Sequence, residues 1–537
     1  MARAPVIVFG FVAVSALLGG SGCGGGKGAA GSSGNGGAAG MGGAGGAAGR
    51  GGAAQTGGTG GVAGTGGSGG AAGGSGTTGT GGAAADAGTT GSAGGAGTIG
   101  AAGTGGPGGD GGRGGAAGTG GSGGTAGTGS ATSCTFAVTS SLSTAIPTVG
   151  IVTFTTDLAA ISSAEIRFGL ASTGPTMTAP VDLTKLDHRT LLLGMKGSSA
   201  YVFRIVATSA AGTCTSADYT LMTGSVPAGV PNKPPTMRDP VRQARGFILS
   251  CNTNGLGPIF IIDSDGAPVW WMAMPFQGTA TRAHMSWDGN DMYVVWGSAA
   301  GASGDVARIS MDGLVVEEKL SGLRTAHHDL TAIPGGVAAL LTNSVVERSG
   351  DGTITTAIPD LIALYGNGNH SNSIHYDPSD DSYTVGDTGS HLYAKITRQG
   401  NLVWQFGGAG PKDPSKAFPG VPRWEVAHGH HLLSDGTFVF FDNNYLDPGT
   451  VGAIARVFKL DTTTMTATSV RSYQSGLRTN TLGDVQFLRN GDILMTVREA
   501  GAIREIDPSG QVVAQHALGI SLGYSEFRES LYGPPPY

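Results

Sequence analysis

Seven of the chain's eleven histidines gather in three short stretches: His327 with His328, His370 with His375, and His428 with His430 and His431. Imidazole is the side chain whose ordinary pKa lies closest to neutrality. Near pH 7 it can attack an electrophile, carry a proton or ligate a metal ion. His328 and His428 each stand eight positions before a turn glycine, Gly336 and Gly436. Equivalent positions of successive repeats converge when the repeats are set about an axis, so His328, His428 and His370 are expected to face one another. One histidine in a strand is more often structural; three at matching repeat positions are harder to assign to packing.

The elements that must position them repeat. An apolar run, a polar turn and a second apolar run recur around Asp263-Ser264-Asp265-Gly266, Ser310-Met311-Asp312-Gly313, Ser349-Gly350-Asp351-Gly352, Thr397-Arg398-Gln399-Gly400, Asp461-Thr462-Thr463-Thr464 and Asp507-Pro508-Ser509-Gly510. Glycine in most of these turns supplies the positive φ of a tight hairpin. A second hairpin alternates with the first, at Trp287–Asp291, Ile333–Gly336, Pro378–Asp381, Ser434–Gly436 and Arg489–Asp492. Two hairpins per period of roughly 40–65 residues make a four-stranded blade. The pattern predicts an all-β chain with a six-bladed β-propeller over residues 240–537, one terminus completing the first or last blade. An array of β-sandwiches would not require such even spacing.

Upstream, residues 1–23 read as an export signal: Arg3, then the apolar run Val6 to Leu18, then small residues before Cys23. The run is too short for a stable membrane anchor. The ending resembles a bacterial lipoprotein signal, with Gly20 where such signals usually carry leucine, and implies lipidation of Cys23. Ordinary cleavage at the same small residues would give a secreted protein. Residues 24–132 are almost entirely Gly, Ala, Ser and Thr, without apolar period. Such a segment cannot repay the entropy of ordering and is expected to be a long disordered tether spanning about 50–60 Å. Glycine does not recur strictly every third residue, which excludes collagen. Residues 133–225 alternate in short β-rich runs at sandwich spacing. Tyr201–Ala207 and Ser216–Thr220 look like late strands of a fibronectin type III-like domain, to which no chemistry is assigned and which serves as a spacer or support. Cys134 and Cys214 bracket it and could pair after export, a closure contributing about 4 kcal/mol. Cys251, among Phe247, Ile248 and Leu249, is expected to be a small buried residue.

Four segments of the C-terminal half resemble the bacterial aryl sulfotransferases that use aryl sulfates as donors and need no nucleotide: Ala326-His327-His328-Asp329-Leu330; His370-Ser371-Asn372-Ser373-Ile374 with Tyr376-Asp377; Ala427-His428 through Gly436 to Phe441-Asp442-Asn443; and Gly483-Asp484-Val485-Gln486 with Asn490-Gly491. Glu526–Tyr532 is similar to that family's closing strand. The resemblance implies a six-bladed propeller that can follow a β-sandwich. It also implies a ping-pong transfer through a sulfohistidine, from an aryl sulfate to a phenol. His428 matches the nucleophile; His328 and His370 match the residues that stabilise the sulfuryl oxygens and protonate the leaving oxygen. Asn372 falls within the matching segment and joins the substrate-binding candidates. The family's arginine is replaced: Thr388 stands about where it should be, and threonine cannot supply its charge. Arg282 and Arg423, each near a strand start, are candidates to reach the funnel instead, and Trp424 either lines an aryl pocket or packs in the core.

The charged fraction is 13% and the net charge −6, without any basic run, which excludes a nucleic-acid binder. No cofactor is expected, and the partners are small aryl sulfates and phenols, with self-association into a homodimer left open. The rival readings are a non-enzymatic surface propeller that binds a glycan, peptide or small molecule, and, behind it, a metal enzyme. The histidine spacing fits strand starts better than a helical zinc motif, so no metal is assigned.

Overall fold

The computed structural model describes residues 134–535 except 275–277, 298–303, 367–369, 409–411, 425 and 445–451. The export signal, Cys23 and the tether lie outside the described residues. Within them the chain is nearly all β, in sheets that are antiparallel apart from the pairing of Leu402–Gly407 with Ala417–Phe418. No helix among these residues is long and apolar enough to cross a membrane.

Two sheets make up the first folded part. Phe136–Leu142, Gly150–Thr156 and Thr190–Leu192 form one; Met177–Pro180, Ile161–Leu170, Ala200–Ser209 and Gly212–Thr215 form the other, with Tyr219–Met222 on Ala200–Ser209. Alternate residues point inward, and Val152, Phe154, Ile166, Phe168, Tyr201, Phe203 and Ile205 fill the space between. Cys134 and Cys214 are joined as a disulfide, Cα–Cα 6.2 Å.

This part is not a detached spacer. Ile146, Val149 and Leu193 share one apolar cluster with Leu249, Ile261, Trp270, Met285 and Ile309. Thr148 Oγ1 donates to Val269 O at 2.7 Å, and Lys196 Nζ pairs with Asp263 and Asp265 at 3.0 and 2.6 Å. Tyr532, from the far end of the chain, accepts from Leu193 N at 2.7 Å and donates to Leu191 O at 3.1 Å. The linker also does more than connect: Met237–Arg238, upstream of the boundary expected at Pro240, pairs with Val512–Ala517.

From Phe247 onward the strands form antiparallel meanders, each expected hairpin turn falling between two of them. Six strands carry the connections between meanders: Thr279–Met285, Ala326–Ile333, Ser371–Asp377, Ala427–Leu432, Asp484–Phe487 and Glu526–Arg528. Thr281 Oγ1 donates to His328 O (3.0 Å), Ile374 N to Asp329 Oδ2 (2.9 Å) and Asn372 Nδ2 to Ala427 O (2.8 Å). Phe487 N donates to His431 Nδ1 (3.0 Å), Phe527 N to Gln486 Oε1 (2.7 Å) and Met285 N to Glu526 Oε2 (3.2 Å). Followed in order, these bonds return to the first strand. The last strand, Glu526–Arg528, pairs with Phe247–Cys251, so the end of the chain completes the first meander.

Candidate functional site

Four of the six ring-forming strands are irregular at equivalent places. Register shifts occur between Ala280 and Arg282, Ala326 and Leu330, Ser371 and Ser373, and Ala427 and His430. A bulge leaves residues unpaired and re-aims their side chains. Thr281, His327, His328, Asp329, Asn372, His428 and Gly429 all fall in these breaks. His328 adds a left-handed backbone, φ 61, so His327 and His328 turn to one place, although neighbours in a regular strand point to opposite faces.

Three rings meet there. The His327 and His328 centroids are 4.0 Å apart, His327 and His370 5.2 Å, His328 and His370 4.9 Å. His327 Nδ1 lies 2.7 Å from His328 Nδ1 and 3.2 Å from Ser371 O. Burial, then the neighbouring rings, hold His328 well below the usual imidazole range; burial and His327 lower His370. His428 is near enough for its charge to lower His328 and for that of His370 to lower His428.

His428 is 4% exposed. Its Nδ1 donates to Asn443 Oδ1 at 2.7 Å, and Leu482 N donates to its Nε2 at 3.1 Å. The Asn443 amide is oriented by Nδ2 bonds to Thr479 O (3.2 Å) and Leu482 O (3.0 Å). The neutral ring therefore carries its proton on Nδ1 and its lone pair on Nε2. Burial pushes its pKa down to about 4 against the Asn443 bond, so the ring is neutral at pH 7. The His428 carbonyl accepts from Tyr393 Oη (2.9 Å) and Ser373 Oγ (3.2 Å).

Thr388 serves the backbone beside this ring: its Oγ1 donates to Ala427 O at 2.7 Å and accepts from Ala427 N at 3.2 Å. Asn372, fully buried, uses Nδ2 on the same carbonyl, and its Oδ1 has no partner among the described residues. Arg282 is held within the protein. Its Nε lies 2.9 Å from Asp329 Oδ1, its Nη1 2.7 Å from Asp484 Oδ2, and its guanidinium 5.2 Å from the Tyr524 ring centroid. Burial opposes its charge, but Asp329, Asp484 and Glu526 raise its pKa on balance. Burial pushes Asp329 up to about 6 although Arg282 pulls it down. Trp424 stacks on Phe406 at 5.5 Å and packs on Phe440 at 4.7 Å, which makes it a core residue. The exposed Arg423 shares a cavity wall with it, together with His391 and Phe418.

The remaining histidines of the three stretches line a cavity with His284, Arg282, Asp484 and Glu526. His430 is bonded at both ring nitrogens, to Ser373 Oγ (2.9 Å) and Thr384 Oγ1 (2.8 Å). His431 and His375 rings meet edge to face at 4.7 Å. Sequence reasoning did not find Leu482 or Tyr524. Tyr524 Oη donates to Asn372 O at 2.6 Å, and its ring lies 6.4 Å from His428. Both come from irregular stretches in which no spacing marks them.

Comparison with known proteins adds to this geometry. Among curated proteins none matches. Solved structures align at low similarity. A putative 6-phosphogluconolactonase from Bacteroides fragilis is 16% identical, covering 54% of this chain and 99% of that one, with a TM-score of 0.34. Virginiamycin B lyase from Staphylococcus aureus is 14% identical, covering 51% and 90%, with a TM-score of 0.33. A protein of unknown function from Bacteroides thetaiotaomicron is 14% identical, covering 69% and 94%, with a TM-score of 0.31. Residues 366–519 match the family model described as arylsulfotransferase (ASST), a match that takes in His370, Asn372 and His428, leaves out His328 and Arg282, and supports that family for this part of the chain.

Proposed function

We propose that the chain is a nucleotide-independent aryl sulfotransferase, built on a six-bladed propeller behind a fibronectin type III-like sandwich. The observation that carries this reading is the state of His428: a buried imidazole, neutral at pH 7, with its proton fixed on Nδ1 by Asn443. In the proposed reaction Nε2 attacks the sulfur of an aryl sulfate, the aryl–oxygen bond to sulfur breaks, and a phenolate leaves. The sulfuryl group then passes from Nε2 to an acceptor phenol, whose proton goes to the histidine that protonated the leaving oxygen. His328 and His370 donate to the sulfuryl and leaving oxygens, where charge builds up. The Leu482 N–H now bound to Nε2 must release it; it can then donate to a sulfuryl oxygen. The loss of the family's arginine at Thr388 falls most heavily on transition-state charge. Arg423, on the wall of its cavity, is the residue we assign to the aryl group, and Asn372 is assigned to the substrate beside the reacting histidines.

The same reading makes the protein exported and tethered through a lipidated Cys23. Release of nitrophenol from 4-nitrophenyl sulfate, with and without phenol, tests the activity in the wild type and His428→Ala. Phenol-stimulated release that vanishes in the variant is the expected result. Release unaffected by the substitution would remove His428 as nucleophile, and no release from either protein would favour a binding propeller.

A further inference from the structure

We propose that His327, His328 and His370 bind one divalent transition-metal ion, Zn²⁺ foremost, leaving a fourth coordination position for an anionic oxygen. The inference rests on geometry alone and does not depend on sulfuryl transfer. One ring nitrogen from each histidine can be chosen so that all three lie within 4.8 Å of one another. A tetrahedral ion about 2.0–2.1 Å from each nitrogen needs them roughly 3.4 Å apart, so modest ring movements complete the site.

Three further observations favour a ligand set over packing. First, the backbone is bent to make it. The Ala326/Leu330 register shift and the positive φ of Thr325 (66) and His328 (61) bring consecutive residues to one point. Backbone strain of that kind persists where surrounding structure fixes it. Secondly, no ion pair joins a carboxylate to any of the three rings among the described residues. Their closest polar contact is with each other, Nδ1 to Nδ1 at 2.7 Å. That contact needs a shared proton, and an ion can replace it, the proton leaving to solvent. Thirdly, the other cluster is already committed. His430 is bonded at both nitrogens, His431 Nδ1 accepts from Phe487 N, and His284 Nδ1 lies 2.9 Å from Met285 O. Three imidazoles with an open fourth position suit Zn²⁺, Co²⁺, Ni²⁺ or Cu²⁺ over Mg²⁺ or Ca²⁺, which prefer oxygen.

All eleven histidines of the chain are described, so binding can be traced to residues. Tag-free full chain is stripped with chelator and titrated calorimetrically with Zn²⁺, and separately loaded with Co²⁺ for visible spectroscopy. One equivalent of Zn²⁺ and the intense ligand-field absorption of four-coordinate Co²⁺ are expected. His327→Ala and His370→Ala should each weaken Zn²⁺ at least tenfold, while His375→Ala leaves it unchanged. His327→Gln stands in if the alanine variant misfolds. Absence of stoichiometric Zn²⁺ binding, a Co²⁺ spectrum like that of the aquated ion, or Zn²⁺ binding indifferent to both site variants would overturn the proposal. Aryl sulfate turnover is measured separately, so its absence bears on sulfuryl transfer and not on this site.

Discussion

Arg282→Met tests whether this arginine holds the fold or the substrate. Methionine keeps a flexible apolar stem and removes the guanidinium, which is 11% exposed and contacts Asp329 at 2.9 Å and Asp484 at 2.7 Å. Both carboxylates then stay buried without a counter-charge. Backbone donors remain: Leu330 N and Ile374 N at Asp329, Val485 N and Ser525 N at Asp484. Removing one partner of a buried ion pair costs about 3–5 kcal/mol, and here one cation serves two anions, so the loss at pH 7 should reach at least that range. The pH dependence has a definite sign. Burial already raises Asp329 to about 6 and raises Asp484 as well, each opposed by Arg282. Without the cation both rise further. A carboxyl raised above its unfolded pKa, near 3.9, gives full stability below that value and loses it as pH climbs through the folded pKa. The deficit of Arg282→Met should therefore be large at pH 7 and smaller at pH 5. Urea unfolding at both pH values would measure it, with Arg282→Met/Asp329→Asn/Asp484→Asn expected to regain a good part of the loss. A deficit under about 1 kcal/mol at pH 7, or one equal at both pH values, would refute the argument and return Arg282 to the substrate candidates.

Asn443→Ala removes the acceptor that fixes the His428 tautomer, and an orphaned buried N–H costs about 1–3 kcal/mol. Nitrophenol release should fall about tenfold or more, with little change in KM. Burial lowers His428, His431 and His516 to about 4 and His430 to about 3, so the stability they allow is present above the unfolded value near 6.5 and is lost as pH falls through those values. Thermal melts should show the midpoint dropping steadily from pH 7 to pH 4. His516, whose ring nitrogens are both buried without hydrogen-bond partners among the described residues, contributes on the order of 3 kcal/mol to that pH dependence, and His516→Leu should flatten it. Tyr532→Phe leaves Leu193 N without its bond at the seam between the sandwich and the first meander, and chemical unfolding should show a loss of about 1–3 kcal/mol. Gly429→Ala would set a Cβ against the Asp484 carboxylate, and the ring should lose about 1–3 kcal/mol or more in the same assay.

Much of the architecture could be read from turn chemistry. Gly266, Gly313, Gly352, Gly400, Gly436, Gly491 and Gly510 all take positive φ at hairpin turns, which is why their spacing revealed the repeat. The eight-residue interval from His328 to Gly336 and from His428 to Gly436 placed both histidines in breaks of equivalent strands. Sequence could not show that the breaks existed, because a bulge depends on pairing with the partner strand. Asp329 and Asp484 hold Arg282 between them. Their shared grip on Arg282 spans residues 202 apart in sequence and has no local signature. Trp424 had packing and binding as equal readings, and Phe406 and Phe440 place it in the core. The sandwich read as a spacer because Ile146, Val149 and Leu193 fit an internal strand pattern as well as a seam. Met237–Arg238 was lost in a proline-rich linker, since a two-residue strand has no period to detect.

The same irregularities that gather the histidines also close the ring, and this constrains how function can be separated from fold. A regular strand uses its N–H and C=O groups on its neighbours in the sheet. At the breaks those groups and the adjacent side chains turn to the next meander: Thr281 to the His328 carbonyl, Asn372 to that of Ala427, and Ser373 and Tyr393 to that of His428. The candidate site's side chains and the inter-meander bonds thus belong to the same few residues but to different atoms. The His428 carbonyl holds the ring together, whereas among the described residues its imidazole makes hydrogen bonds to Asn443 and Leu482 alone. Substitutions that change the imidazole and keep the backbone should affect chemistry first. Changes at Ser373 or Asn372 should affect stability and chemistry together, because buried groups left without partners loosen the strand that carries the site. A loss of turnover is therefore evidence about mechanism at His428 and Asn443, and evidence about the fold at their neighbours.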